Sequence, residues 1–288
     1  MTLLGRIGER LRRPQGVPWR SAGLRTESLS ADESVRSTGW VFDNKTKDVS
    51  LESFTSGGEN EVRRYLKLFG YTNDETRDLS MVEIGSGIGR MTASFSKRFR
   101  LVYAADVDAA FLERCRETVF HHGEPNALRT LHVADGRTLD IESQSVDFAF
   151  SYITLQHCSG EDALSLVTEA LRVTKSGGRI ALNFRTWTAL DAALVPLGGI
   201  VRVLWRTPKA AKYMARIRSL TRLGWQANRL SPDDVLASVG LDLIGTRLRD
   251  VTIIHSSRRR VATSADGVRK VSVRRVHPSH WWLVARLA

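Results

Sequence analysis

The stretch "SMVEIGSGIGRMTASF" (residues 80–95) decides how this chain is read: a short apolar run ends in glycines at 85, 87 and 89, and helical spacing follows. Glycine permits a tight turn and close approach of another group, and a helix N-terminus presents N–H groups with positive potential. The expectation is a strand–turn–helix unit whose turn offers free N–H groups to an oxygen-bearing or negatively charged part of a ligand. Two glycine signatures are excluded. The dinucleotide pattern G-x-G-x-x-G needs glycine where Arg90 stands, and the phosphate-loop ending G-K-[ST] is absent.

Outward from the turn, strand and helix patterns alternate. Apolar runs predict strands at 81–84, "LVYAAD" (101–106), "RTLHVAD" (129–135), "SVDFAFSYI" (145–153) and "GGRIALNF" (177–184). Helical spacing falls at 59–69, 90–99, 109–121 and 161–173. Such alternation implies a parallel sheet covered on both faces, with ligands outside the carboxyl ends of its strands. Residues 187–230 interrupt it. "SPDDVLASVG" then restarts it, with Ser231 as N-cap and Pro232 in the first turn, and "WWLVARLA" (281–288) reads as an apolar closing strand.

Acids stand at two strand ends. Asp106 lies 21 residues beyond Gly85, where a carboxylate can take both hydroxyls of a ribose, and Asp135 follows the third strand in "VADG". The segments "VEIGSGIGR", "AADVD", "VADG", "VDFAFSYITLQH" and "LRVTKSGGRIAL" resemble, in order and spacing, the motifs of class I S-adenosylmethionine-dependent methyltransferases over about residues 51–288. The small-molecule branch, with F-x-S-G before the first strand, is matched by Phe54, Ser56 and Gly57. This resemblance implies a doubly wound, Rossmann-like, mostly parallel α/β sheet of seven strands with helices on both faces and an antiparallel last strand. It implies S-adenosyl-L-methionine as cofactor, with Glu83, Gly85 and Gly87 around its methionine part and Arg90 or Ser56 assisting its carboxylate. Asp106 would hold the ribose, and Asp135 with Gly136 would flank the adenine. Gly57, Ser86, Val107 and Ser151 complete the implied contacts. Ser176 replaces the usual proline of "LKPGG", which touches turn stiffness only. Local readings stay open: Glu83 or Asp135 as plain turn residues, and Asp108 as a helix cap.

A sulfonium methyl is already activated, so the protein's task is alignment, worth roughly 7–11 kcal/mol, with a base for a hydroxyl acceptor adding about 10²- to 10⁴-fold. The fourth strand ends in "SYITLQHC" (151–158). There His157 is the candidate general base, and Tyr152 would line the pocket or orient the acceptor. A structural histidine bonded to backbone is the competing reading of His157. The expected activity is methyl transfer to a hydroxyl of a sugar, glycolipid or secondary metabolite. A nucleic-acid methyltransferase is the first rival, although [DN]-P-P-[YFW] and a Pro-Cys nucleophile are missing. A non-catalytic cofactor-binding or membrane-surface protein is the second.

Composition sets the remaining bounds. From residue 201 onward 18 Lys or Arg face 5 Asp, so the excess of the net +12 lies in the last third. That suits nucleic acid, anionic lipid or a phosphorylated substrate, or else Arg-rich solvated faces, since only 8 basic residues are Lys. Trp205 and Trp225 could serve as base-stacking platforms, whereas Trp281 and Trp282 begin the closing strand and read as core. Residues 1–50 read as an extension, with 12–39 a linker or loosely docked arm and 1–13 a basic amphipathic segment able to touch a membrane surface. The insertion 187–230 reads as a lid for an amphiphilic or anionic acceptor, contacted by Arg216, Arg218 and Arg222. Cys115 and Cys158 have no metal spacing, no metal site is expected, and the chain reads as cytoplasmic, in places peripheral to the membrane.

Overall fold

The computed structural model describes residues 28–38, 50–72, 75–204, 207–214, 217, 223, 228–240, 244–259 and 261–288. Segment 1–13, Trp205, Trp225, Arg216, Arg218 and Arg222 lie outside the described residues. The strands are β1 (Ser80–Ile84), β2 (Leu101–Asp106), β3 (Leu128–His132), β4 (Val146–Ser151), β5 (Thr174–Arg185), β6 (Leu248–Ser256), β7 (Arg269–Val273) and β8 (His280–Leu287). They form one sheet in the order β3-β2-β1-β4-β5-β8-β6-β7. Only β8 runs antiparallel to its neighbours, β5 and β6. The doubly wound sheet with an antiparallel last strand is the expected one, with eight strands in place of seven. The additional edge strand β7 carries exposed Arg269 and Lys270 and lacks an apolar run, which hides it from a hydrophobic pattern.

Alternating side chains of the inner strands serve opposite faces. Val82 and Ile84, then Ile180, Leu182 and Phe184, pack with Trp281 and Leu283 against helices α5 (Gly160–Val173) and α8 (Pro232–Val239). Met81, Phe148, Phe150 and Trp282 pack on the other face, against α2 (Leu51–Leu68) and α3 (Thr92–Ser96). Both tryptophans are thus core. Ser231 and Asp234 form a reciprocal capping box that starts α8, with Pro232 in its first turn. Among the described residues no helix is long and apolar enough to cross a membrane.

Two local expectations change. Within the segment read as a loose arm, α1 (Ala31–Thr38) forms and docks, burying Ala31 and Val35 against Leu51, Phe54, Ile88 and Phe111. Its sequence signal is the capping box of Ser30 and Glu33: Ser30 N–H donates to Glu33 Oε2 at 2.7 Å and Glu33 N–H to Ser30 Oγ at 3.2 Å. The second change is α2, which starts at Leu51 with Ser50 as its N-cap and runs straight through the glycine pair at 57 and 58. Of the two, Gly58 is required by packing. A Cβ on Gly58 would stand 2.0 Å from the Arg90 carbonyl oxygen, whereas one on Gly57 would find only the Arg90 guanidinium at 3.8 Å. Gly58→Ala should therefore cost about 2–3 kcal/mol by prying α2 off the glycine turn. Gly57→Ala should be neutral or stabilise the helix by up to about 1 kcal/mol. Denaturant unfolding of both variants checks the contrast.

Candidate functional site

The carboxyl end of β1 runs into the glycine turn, where Gly85, Gly87 and Gly89 have φ of +83°, +55° and +90°. At Gly85 the close neighbour is the chain itself: a Cβ would lie 2.1 Å from the Thr154 hydroxyl and methyl, and Thr154 Oγ1 donates to Gly85 O at 3.3 Å. Thr154 belongs to the loop after β4, so this contact locks the β1 and β4 loops together. The N–H groups expected to be free are used internally. Gly85 and Ser86 donate to Ala105 O at 2.7 and 3.0 Å, Gly87 to Asp106 Oδ2 at 2.8 Å, and Gly89 to Ser86 O at 3.1 Å. These four amides are therefore engaged within the protein, three of them by acceptors that β2 supplies.

The turn has acids around it. Glu83 is buried, accepts the Thr92 hydroxyl at 2.7 Å, and is pushed up to about 8, first by burial and further by the charge of Asp106. Asp106 is half-buried and accepts Asp108 N–H on Oδ1 at 2.9 Å beside the Gly87 contact; burial raises it to about 6. In the same turn Ser86 Oγ is buried without a hydrogen-bond partner. Two carboxyls held short of full ionisation and an unsatisfied hydroxyl suit a cationic group rich in N–H donors, since a positive charge would favour their charged forms.

The other expected residues spread around this centre. Arg90 forms an ion pair with Glu61 and leans over the Phe54 ring with its Cζ 5.9 Å from the centroid. Ser56 is exposed on α2, and Gly57 is half-buried beside Arg90. Val107 O lies 3.1 Å from His132 Nε2. Asp108 caps α4 (Ala109–His122), accepting Ala110 N–H at 2.9 Å. Asp135 is exposed; its Oδ1 accepts the N–H groups of Arg137 and Thr138 at 2.8 and 2.9 Å, next to Gly136 at φ +72°. Burial would raise Asp135, but these backbone N–H groups outweigh it and hold the carboxyl below its usual range. The Ser151 hydroxyl is buried and donates to Ile84 O at 2.9 Å, fastening β4 to β1.

Tyr152 turns toward the core. Its ring stacks on Trp282 at 5.5 Å and lies 4.9 Å from Tyr65, and burial pushes its hydroxyl far up. His157 closes a short turn, Leu155–His157, with its N–H donating to Thr154 O at 2.8 Å and its Nε2 3.4 Å from the Gln156 amide nitrogen. The far end of the insertion is stitched to this turn: Asn228 Nδ2 donates to Leu155 O at 2.6 Å and Cys158 O at 2.9 Å. Sequence reasoning missed Thr92, Thr154 and Asn228, polar residues whose partners lie 9, 69 and 73 positions away.

The fold and the acid-lined turn define a class of nucleoside-cofactor α/β proteins. Residues 82–182 match the family described as Methyltransferase domain. Phosphoethanolamine N-methyltransferase 1 of Caenorhabditis elegans is 30% identical over 103 residues, 36% of this chain and 21% of the relative. The biotin biosynthesis bifunctional protein BioHC of Cellvibrio japonicus is 34% identical over 110 residues, 38% of this chain and 20% of the relative. The chain thus spans about a fifth of the length of these relatives. Among solved structures, magnesium protoporphyrin IX methyltransferase from Synechocystis PCC 6803 with bound SAH has a TM-score of 0.49 and 16% identity, covering 88% of this chain and 96% of that one. Residues 82–182 thus carry a methyltransferase domain of the class I, S-adenosylmethionine-dependent kind, whose cofactor is S-adenosylmethionine.

A cation entering between Glu83 and Asp106 favours their ionised forms and releases protons. S-adenosylmethionine affinity should therefore rise by up to about tenfold per pH unit as pH approaches 8 and level off above it, with proton release read by calorimetry in buffers of different ionisation enthalpy. Glu83→Gln should flatten this dependence and weaken binding by about tenfold or more. The same change should raise the thermal midpoint of the ligand-free protein above pH 7. A carboxyl whose folded pKa is raised to about 8 contributes most below its unfolded value of 4.5 and loses that contribution as pH rises through 8. The amide has no such loss.

Proposed function

We propose that this chain moves the sulfonium methyl of S-adenosylmethionine to a hydroxyl of a small molecule, such as a sugar, glycolipid or secondary metabolite. Residues 51–288 form the transferase unit, 1–50 an extension, and 187–230 a lid-like insertion over the acceptor. The reading rests on one observation: the acid-lined glycine turn is joined through Thr154 to the turn that carries His157.

When bound, the cofactor supplies an activated methyl group. Glu83 and Ser86 meet the amino-acid end, the first as a charge partner for the ammonium and the second with its unpartnered hydroxyl. Gly87 leaves that end room, Gly85 keeps the turn tight against Thr154, and Arg90, with Ser56 and Gly57 on the neighbouring α2, assists the carboxylate. Asp106 keeps lone pairs beyond those given to Gly87 and Asp108 N–H groups, enough to accept both ribose hydroxyls beside Val107. Asp135 and Gly136 flank the adenine through the carboxylate oxygen opposite the turn contacts. Ser151 holds the end of β4 in place. At the acceptor, His157 takes the hydroxyl proton, and Tyr152 forms a wall through its packing on Tyr65 and Trp282.

A nitrogen acceptor is the second reading, favoured by the phosphoethanolamine N-methyltransferases among the relatives. One variant separates the two. With a panel of hydroxyl and amine acceptors and SAH formation as readout, His157→Ala should keep folding and SAH affinity while losing about 10²- to 10⁴-fold in turnover on hydroxyls. Loss confined to amines would favour nitrogen, and unchanged turnover on every acceptor would remove His157 as the base.

A further inference from the structure

Arg185 ends β5, beside the β4 end, and is paired in register with His280 on β8. The insertion leaves from here through α6 (Asp191–Leu204), and its return at Asn228 and Arg229 closes over the same place. Between the two ends a single carboxylate meets two guanidinium groups among the described residues. Asp191 is fully buried; its Oδ1 accepts Arg229 Nε at 3.0 Å and Nη2 at 2.8 Å, and Arg185 Nη2 only at 3.4 Å. Its Oδ2 takes Thr188 N–H and Thr188 Oγ1, each at 2.7 Å. The carboxylate is saturated and belongs mainly to Arg229.

Arg185 is left with a long contact at the limit of a hydrogen bond, and its Nε–H is buried without a partner. A guanidinium this enclosed, its side chain 13% exposed, ordinarily has a carboxylate or phosphate against its fork. Among the described residues the surroundings supply only the shared Asp191. Residues 192–232 contain eight Lys or Arg and no Asp or Glu. His280 is held down to about 3 by burial and by His277, Arg185, His157 and Arg229, so the neighbouring ring stays neutral in a positive field. His277 is lowered too, by burial and Arg185. The loop after β4 reaches the same corner, where Ile153 N–H donates to Asn183 Oδ1 at 3.3 Å and His280 Nδ1 lies 3.0 Å from that oxygen.

We propose that Arg185, backed by Arg229 and Asp191, is an oxyanion subsite of the acceptor pocket: the acceptor carries a phosphate or carboxylate group that docks on the Arg185 fork and sets its reacting atom toward the β4 end. This assignment rests on the methyl-transfer reading above. It places an anchor for charge in a buried pair at the insertion's roots, apart from Arg216, Arg218 and Arg222, which lie outside the described residues. Asp191 acts as a positioning residue, fixing Arg229 and keeping the cluster from accumulating a second uncompensated charge.

The test uses the full chain and two probes, inorganic phosphate and acetate, titrated at constant ionic strength with chloride and followed by calorimetry and thermal shift. Phosphate or acetate should bind the wild type, the stronger response naming the acceptor's anionic group, and should bind equally well when the protein is saturated with SAH. Arg185→Gln should abolish that binding, and Arg185→Lys, which keeps the charge but loses the planar fork, should weaken it by about tenfold or more. Both variants should retain wild-type SAH affinity, which shows that they fold. Absence of any anion binding to the wild type, unchanged binding in a variant that still binds SAH, or competition between anion and SAH would each overturn the subsite. Failure of the wild type to bind SAH would overturn the methyl-transfer reading instead.

Discussion

Two consecutive residues at the end of β2 hold the site together. The Ala105 carbonyl takes the N–H groups of Gly85 and Ser86, and the Asp106 carboxylate takes those of Gly87 and Asp108. The Asp106 carbonyl in turn accepts Val133 N–H at 2.9 Å, so the loops after β1, β2 and β3 are tied to one point. Hydrogen bonds to a charged acceptor contribute about 1.5–3 kcal/mol each, and leaving such buried donors unpaired costs as much. The shape of the glycine turn is therefore set by its neighbour strand as much as by its own glycines.

The same economy makes the site acidic. With the amides of Gly85, Ser86, Gly87 and Gly89 satisfied within the protein, the turn presents carboxyls and a hydroxyl; burial and the charge of Asp106 raise Glu83, and burial and the charge of Asp108 raise Asp106. Such a floor is unfavourable in the empty protein and favourable around a positively charged ligand. Stability and ligand affinity are opposed at Glu83, which is the usual condition of a binding site. An ammonium and a sulfonium on one cofactor are chemically matched to that floor.

On the acceptor side, the insertion is anchored by polar contacts at both roots. Asn228 bonds the carbonyls around His157, and Arg229 bonds Asp191 at the start of α6. Its first helix is a different matter: Leu197, Ile200 and Val203 of α6 are exposed, so the helix turns an apolar side outward while its start is held by the ion pairs of Asp191.

The apolar runs of β1, β2, β4, β5 and β8, the caps at Asp108 and Ser231, and the spacing of Gly85, Asp106 and Asp135 were legible in the sequence, because strand periodicity, capping and turn chemistry are local. Even α1 announces itself through Ser30 and Glu33, although a polar neighbourhood masks it. The short edge strand β7 and the continuous α2 were not legible, since the first offers only Val271 and Val273 to the core and the second contains a glycine pair of which Gly58 makes room for the Arg90 carbonyl of another segment. Nor could residue order alone have told that Thr154 fills the space over Gly85, or that Arg185 and Arg229 would share Asp191 across 44 residues of chain. Backbone turns and amphipathic faces follow from neighbours in sequence, whereas burial, shared counter-charges and the pKa values they set exist only once distant segments exclude water from one another.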